Sequence, residues 1–406
     1  MAGTPPSIEM AATPVDRAPP PRVSAGDYYR YSRMRELELR NAIGTAKTWN
    51  FEKVLGHGSY GITVLLSDRD PLHLHPPRRV VLKRPLIPQA AYHDFIREAQ
   101  VLRDMRGHAH IGQLIGYADD VSRFRPKRGR FARALRRLRA TFNNPPRNLF
   151  KALSVGSGPA ILLEYLENGS MIKVLAALYR RRAGLPNRVL WSWYHCLVSA
   201  CVAMTQKKEG FEGGPLELEN YVTDGNHYRL VHDDIAARNI MVDERDPLVS
   251  EHSIAHKLVM IDFGMARYEP EGAQENAEQI NLRDVNLIML SLINPEALRI
   301  MNMDLGEPGL DFGIFNDLGM NTFAAAVIPR HKYPQLDAEL RTLLYESWRF
   351  GEIGPEGHPS LSDTFRRTKT GMEKSHAAYG YSVRESDDYI RAILHHLLLE
   401  PDDDWE

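Results

Sequence analysis

Two stretches decide how this chain is read: VHDDIAARNIMV (residues 231–242) and, shortly after it, VMIDFGMAR (259–267). Each sets acidic and polar letters beside short apolar runs, with Ile240, Met241 and Val242 closing the first and Val259, Met260 and Ile261 opening the second. Apolar runs of this length beside polar clusters read as short strands flanking loops. The first loop carries His232, Asp233, Asp234, Arg238 and Asn239, and the second delivers Asp262, Phe263 and Gly264. Most of the text from Met171 onward is helical in character, so these loops belong to a mainly α region.

Upstream, the text turns β-rich from Phe51 to Leu86. LGHGSYGITVLL (55–66) spaces Gly56, Gly58 and Gly61 as G-x-G-x-x-G. A bare glycine pattern of this kind is a weak signal and is more often a turn. A dinucleotide fold needs a helix after the third glycine, whereas Ile62, Thr63, Val64, Leu65 and Leu66 read as strand. A hairpin closing over phosphates fits better, because glycines let backbone amides approach phosphate oxygens. RRVVLKRP (78–85) is then an apolar strand interrupted by Lys83. Alone, Lys83 is as readily an edge lysine, but AAYHDFIREAQVLRDM (90–105) reads as an amphipathic helix with Phe95, Ala99 and Leu102 on or near the face of Glu98. A strand lysine can reach a glutamate on a helix packed beside it. Extended text returns at GQLIGY and PAILLEYL, and a small sheet with one helix is the simplest packing of this half.

With these elements in this order, the chain resembles the eukaryotic protein kinase superfamily over roughly Phe51 to Arg299. His232, Asp234 and Asn239 match the family's H-R-D-L-x-x-x-N loop, and Asp262, Phe263 and Gly264 its D-F-G. The resemblance implies an α+β, bilobal protein-kinase-like fold, with a β-rich amino lobe at 49–166 and a mainly α carboxyl lobe at 167–400. It implies ATP and Mg as cofactors and a protein substrate. Asp234 would accept or orient the proton of the attacking hydroxyl, Asn239 and Asp262 would ligate magnesium, and Lys83, held by Glu98, would contact the α- and β-phosphates. Arg238 would support the γ-phosphate, as in the D-L-A-A-R-N form of the loop. Gly56, Gly58 and Gly61 would cover the nucleotide. Val81 would lie over the adenine ring, Glu164 and Leu166 in ILLEYLENGSM (161–171) would offer it backbone groups, and Leu163 would guard its back. Leu102, Leu114, His232 and Phe263 would stack between the lobes, and Asp284 in RDVNLIML (283–290) would hold the catalytic-loop backbone.

The departures from the family pattern are specific. Asp233 stands where regulated members carry the arginine that receives an activation-loop phosphate, and Arg267 falls where a second basic residue of that pocket is common. Either Asp233 pairs with Arg267, supplying a permanent negative charge, or it is simply solvated. No A-P-E follows D-F-G, and His358 replaces the arginine that would pair with its glutamate. Loss of both partners together avoids leaving one buried charge alone. Tyr268 is the one hydroxyl between Asp262 and Asn281. A shortened docking platform leaves two alternatives open: a nucleotide-binding scaffold without transfer activity, and a phosphotransferase for small molecules of the aminoglycoside or choline type.

The remainder of the chain sets bounds. Its 406 residues, 43% of them hydrophobic, are enough for a large bilobal domain. A formal charge of −1 gives no global pull toward nucleic acid or anionic membrane. Residues 1–27, rich in Pro, read as a disordered tail, and 28–48 as a helical extension. The segment 122–151, dense in arginine with no acidic residue, is an insertion. Within it Phe131, Leu135, Leu138 and Phe142 recur at helical spacing, giving a basic amphipathic helix for an acidic partner, or else a solvated loop. A glycine-rich stretch at 206–228 is a second insertion of no assigned role. No run approaches the ~20 apolar residues of a membrane span, so an intracellular protein is expected. Cys196 and Cys201, the only two cysteines, read as reduced core residues of one helix.

Overall fold

The β-branched and aliphatic text between Trp49 and Glu164 forms an antiparallel five-stranded sheet of order β1-β2-β3-β5-β4. Its strands are β1 (Trp49–Gly58), β2 (Gly61–Asp68), β3 (Arg79–Pro85), β4 (Leu114–Ala118) and β5 (Ala160–Glu164). Four shorter strands pair in the later part of the chain: β6 (Leu230–Val231) with β9 (Arg267–Tyr268), and β7 (Ile240–Val242) with β8 (Leu258–Met260). A last two-stranded ribbon joins β10 (Asn316–Asp317) and β11 (Met320–Asn321). The helices are α1 (Ala25–Gly44), α2 (Tyr92–Asp104), α3 (Pro145–Leu153), α4 (Met171–Arg181), α5 (Asn187–Ala203), α6 (Ala277–Ile293), α7 (Ala324–Val327), α8 (Ala338–Ser347), α9 (Leu361–Met372) and α10 (Asp387–Leu399). The protein is therefore mixed α+β. This computed structural model describes residues 25–44, 49–58, 61–68, 77–86, 92–124, 145–154, 156–206, 215–222, 228–270, 276–297, 316–317, 320–349 and 357–399.

The sheet carries more than the one helix expected from the sequence. On one side α2 buries Phe95, Ala99 and Leu102, which join a core cluster with Ile161, Leu114 and the later helices. A second cluster draws Leu39 and Ile43 of α1 together with Leu149, Phe150 and Leu153 of α3 and with Ile62, Val64, Leu82 and Leu162 of the sheet. A sheet with alternating apolar residues has two faces, and each must be covered or solvated. Here α1 and α3 cover the second. The carboxyl end of the basic insertion is thus helical, with Leu149 and Phe150 buried, and that part is not a solvated loop. The Phe131-to-Phe142 helix and the acidic-partner assignment rest on residues outside those described, as do most of the Pro-rich tail and much of the 206–228 insertion.

In the helical part, every residue of α5 is buried, so it runs through the middle of the core. α9 lies directly on it. A Cβ at Gly371 would sit 2.2 Å from Trp191 Cδ2, so only glycine lets these two helices approach this closely. α6 starts at Asn276, whose side chain accepts the Glu278 amide hydrogen as an N-cap. Both cysteines are free and buried, as the sequence led us to expect. Among the described residues, no helix is long and apolar enough to cross a membrane.

Candidate active site

β3, α2 and the turn after β8 bring three charged side chains to one point. Lys83 Nζ lies 2.8 and 2.9 Å from the two oxygens of Glu98 and 2.7 Å from Asp262 Oδ1. Glu98 is almost wholly buried, on the α2 face that Phe95 and Leu102 also use. Burial would lower the Lys83 pKa, but the two carboxylates overcome it and hold the ammonium well above the ordinary lysine range. Burial likewise pushes Glu98 up, with Lys83 opposing. Asp262, more exposed, ends below the usual carboxylate range, since Lys83 outweighs its partial burial. Gly264 completes the corner. A Cβ there would meet Asp262 Oδ1 at 3.3 Å and Glu98 Oε2 at 3.6 Å. Its carbonyl accepts a hydrogen bond from Arg97 of α2 at 3.0 Å.

The other loop is tied to this corner through the backbone. β7 and β8 pair with Ile240 opposite Met260, and the Ile261 amide donates to the Asn239 carbonyl at 2.9 Å. Asn239 and Asp262 therefore emerge at the same end of one two-stranded ribbon. Asn239 Nδ2 donates to the Asp234 carboxylate at 2.8 Å and to its carbonyl at 2.9 Å. Arg238 donates to the other Asp234 oxygen. Asp262 and Asp233 both have positive φ, 65° and 60°, a conformation aspartate tolerates better than most residues and one enriched at functional sites.

His232 links the two loops. Its Nε2 lies 3.1 Å from the Ile261 carbonyl and its Nδ1 3.3 Å from the Asp234 amide. Nδ1 must then accept and Nε2 donate, which is the neutral imidazole. Burial holds its pKa below the ordinary value. Its ring packs on Phe263 with centroids 4.6 Å apart. The His232–Phe263 pair of the expected stack is therefore in contact, and Leu102 and Leu114 lie in the core cluster that includes Phe263.

Among the described residues, Asp284 makes no hydrogen bond to the backbone of the 232–239 loop, contrary to expectation. It pairs with its neighbour Arg283 at 3.6 Å. Asn281, one turn earlier on α6, accepts from the His232 amide at 3.1 Å and donates to the Leu230 carbonyl at 2.9 Å. Asn281 is two per cent exposed, and a buried asparagine needs such partners; among Glu278, Gln279, Arg283, Asp284 and Asn286 the helix text gave no signal that singled it out. Asp233 is paired rather than solvated. Arg267 Nε donates to it, and the same guanidinium pairs with Glu269. Tyr268 hydrogen-bonds Asp104 of α2 at 3.4 Å.

Gly56, Gly58 and Gly61 lie on the β1–β2 hairpin, with Gly58 opposite Gly61. Gly61 is required by space, since a Cβ would sit 2.4 Å from the Arg84 carbonyl oxygen. Gly56 has nothing within 4 Å. Val81 of β3 lies opposite Leu65 and Leu163. The Glu164 amide donates to Gln113 O at 3.1 Å, while its carboxylate accepts from Gln113 N at 2.8 Å. Leu166 follows, buried. A cavity of about 910 Å³ between α4 and the chain near Arg384 shares none of these residues.

No protein-family model matches the chain, and no curated protein matches it.

Proposed function

We propose that this chain is a protein kinase of the bilobal kind, transferring the γ-phosphoryl group of ATP, with magnesium, to a hydroxyl on a protein. The observation that carries this reading is the meeting of Lys83, Glu98 and Asp262 beside a loop that holds Asp234 and Asn239. The donor chemistry fits the cofactors. Asp262 Oδ1 faces Lys83 and the Asn239 amide nitrogen faces Asp234, and the remaining oxygens of Asp262 and Asn239 are hard donors of the kind magnesium takes. Bound magnesium would neutralise charge on the phosphoryl group in transfer.

In this scheme Lys83, fixed by Glu98, holds the α- and β-phosphates, and the hairpin with Gly56, Gly58 and Gly61 lies over them. Val81 and the Glu164–Leu166 connector bound the adenine. Asp234, oriented by Asn239 and Arg238, takes the acceptor hydroxyl's proton as its oxygen bonds to phosphorus, and the electrons of the broken bond leave with ADP. Arg238, paired with Asp234 and 60% exposed at its side chain, would also support the γ-phosphate. Arg267, held between Asp233 and Glu269, has its charge satisfied without an added phosphate.

The missing A-P-E favours a second reading, a nucleotide-binding scaffold that does not transfer. Screening the full chain with ATP and magnesium against proteins, sugars and amino alcohols separates the readings. Phosphate on a protein acceptor supports the kinase. Transfer to none of them, with nucleotide binding intact, supports the scaffold.

A further inference from the structure

Away from the Lys83 corner, three segments far apart in sequence converge on one buried point. His110 comes from the turn between α2 and β4, Cys196 from the middle of α5, and His252 from the 3-10 turn (Ser250–His252) before β8. They are 0, 1 and 3% exposed, and one ligand atom from each lies within 4.8 Å of the others. We propose that His110, Cys196 and His252 form a three-ligand zinc site that pins the α2–β4 turn to α5.

Three observations support it. First, the donors are two imidazoles and a thiol, the nitrogen and sulfur set that zinc prefers over hard cations. Cys196 Sγ is 3.9 Å from His252 Nδ1. A tetrahedral zinc, with sulfur at ~2.3 Å and nitrogen at ~2.0–2.1 Å, holds such a pair roughly 3.6 Å apart, so small side-chain rotations suffice. Second, His110 Nε2 is buried without a hydrogen-bond partner of ordinary geometry among the described residues. Buried polar atoms are normally satisfied, and an orphan among metal-binding side chains points to a ligand. Third, the other nitrogen of His110 is already oriented. Glu219 contacts His110 Nδ1 and also accepts from the His110 amide at 3.1 Å. A carboxylate on the far nitrogen is what fixes the tautomer of a zinc-bound histidine. Zn²⁺ with a Cys196 thiolate and the Glu219 carboxylate is also neutral as a unit, which a buried cluster requires. Water would take the fourth position.

The placement gives such a metal a consequence for the candidate active site. The His110 carbonyl accepts from the Met260 amide at 2.9 Å, two residues before Asp262, and the Gly112 amide donates to the Met260 carbonyl at 2.9 Å. A zinc here would hold the turn that follows the Glu98 helix against the strand that delivers Asp262.

The test is metal analysis of the full chain purified without chelator, followed by chelation and re-addition of zinc or cobalt. Stoichiometric zinc, a rise in Tm on zinc re-addition, and a cobalt form showing sulfur-to-cobalt charge transfer with intense tetrahedral bands are expected. Cys196→Ala should lose the zinc, and Cys201→Ala should keep it. Because Cys196→Ala can fail to fold, the cobalt spectrum of the unmodified chain decides alone. A chain without zinc, with no Tm response and no thiolate-to-cobalt band, overturns the proposal in favour of a metal-free His110–Glu219 pair.

Discussion

Lys83 Nζ stands 2.7 Å from Asp262 Oδ1, so residues 179 positions apart in the chain share one ion pair across the junction of the sheet and the helical part. Glu98 clasps the same ammonium from α2. One cation between two carboxylates is held charged, and the three elements that supply the groups are held in register.

Removing that cation exposes the arrangement. Lys83 and Glu98 side chains are 14 and 2% exposed, and breaking such a buried pair costs up to about 3–5 kcal/mol, less whatever Glu98 recovers by taking a proton. We expect Lys83→Met and Glu98→Gln each to lower urea stability by that order. The double variant should lose less than the sum of the two. Strict additivity in the cycle would mean the pair contributes nothing as a pair.

His232 supplies a pH dependence. Its folded pKa is depressed, so between that value and its unfolded value of about 6.5 the unfolded chain binds more protons and stability rises with pH. Read downward, stability is lost as pH falls below about 6.5, because a proton on Nδ1 would confront the Asp234 amide hydrogen. The stability gap between the native chain and His232→Asn should therefore narrow from about pH 7.5 to about pH 5. A gap that is constant across that range would show that His232 is not held neutral.

The glycine hairpin separates space from conformation. Gly61→Ala drives a Cβ against the Arg84 carbonyl, and forcing volume into packed structure costs about 1–3 kcal/mol. Gly56→Ala meets nothing within 4 Å and should leave Tm nearly unchanged while weakening ATP binding. Equal losses of stability in the two variants would contradict the packing described.

Arg267 has two acidic partners, so neither is indispensable for its charge. Asp233→Asn should change stability by no more than ~1 kcal/mol, given the 41% exposure of Arg267 and the retained Glu269. Asp233→Arg should cost more, since it sets two cations together and places arginine at a φ of 60°. Equal unfolding midpoints for the two variants would argue that Arg267 relies on Glu269 alone.

Much of the candidate site was legible because each part has a local constraint visible in the text. Lys83 interrupts an apolar strand, Glu98 sits on the buried face of an amphipathic helix, and Asp262 ends an apolar run. The coverage of the second sheet face was not legible. Leu39 and Ile43 lie in a charged helix with a weak apolar period, whereas the amphipathic turn that carries Leu149 and Phe150 closes an arginine-rich insertion and is short. The assignment of Asp284 followed family spacing, whereas the helix turns Asn281 toward His232. The meeting of His110, Cys196 and His252 was invisible for a different reason. Their separations carry no metal-ligand spacing, and only the tertiary fold brings them together.

The most direct measurement compares γ-phosphoryl transfer from labelled ATP by the full chain and by Asp234→Asn, with magnesium-dependent ATP binding followed in parallel. Asp234 contacts Asn239 and Arg238 but not the Lys83 corner, so the variant should bind ATP about as well as the native chain while transfer falls by at least ~10²-fold. Transfer that survives Asp234→Asn, or a native chain that neither binds ATP with magnesium nor transfers its phosphate, would contradict the account.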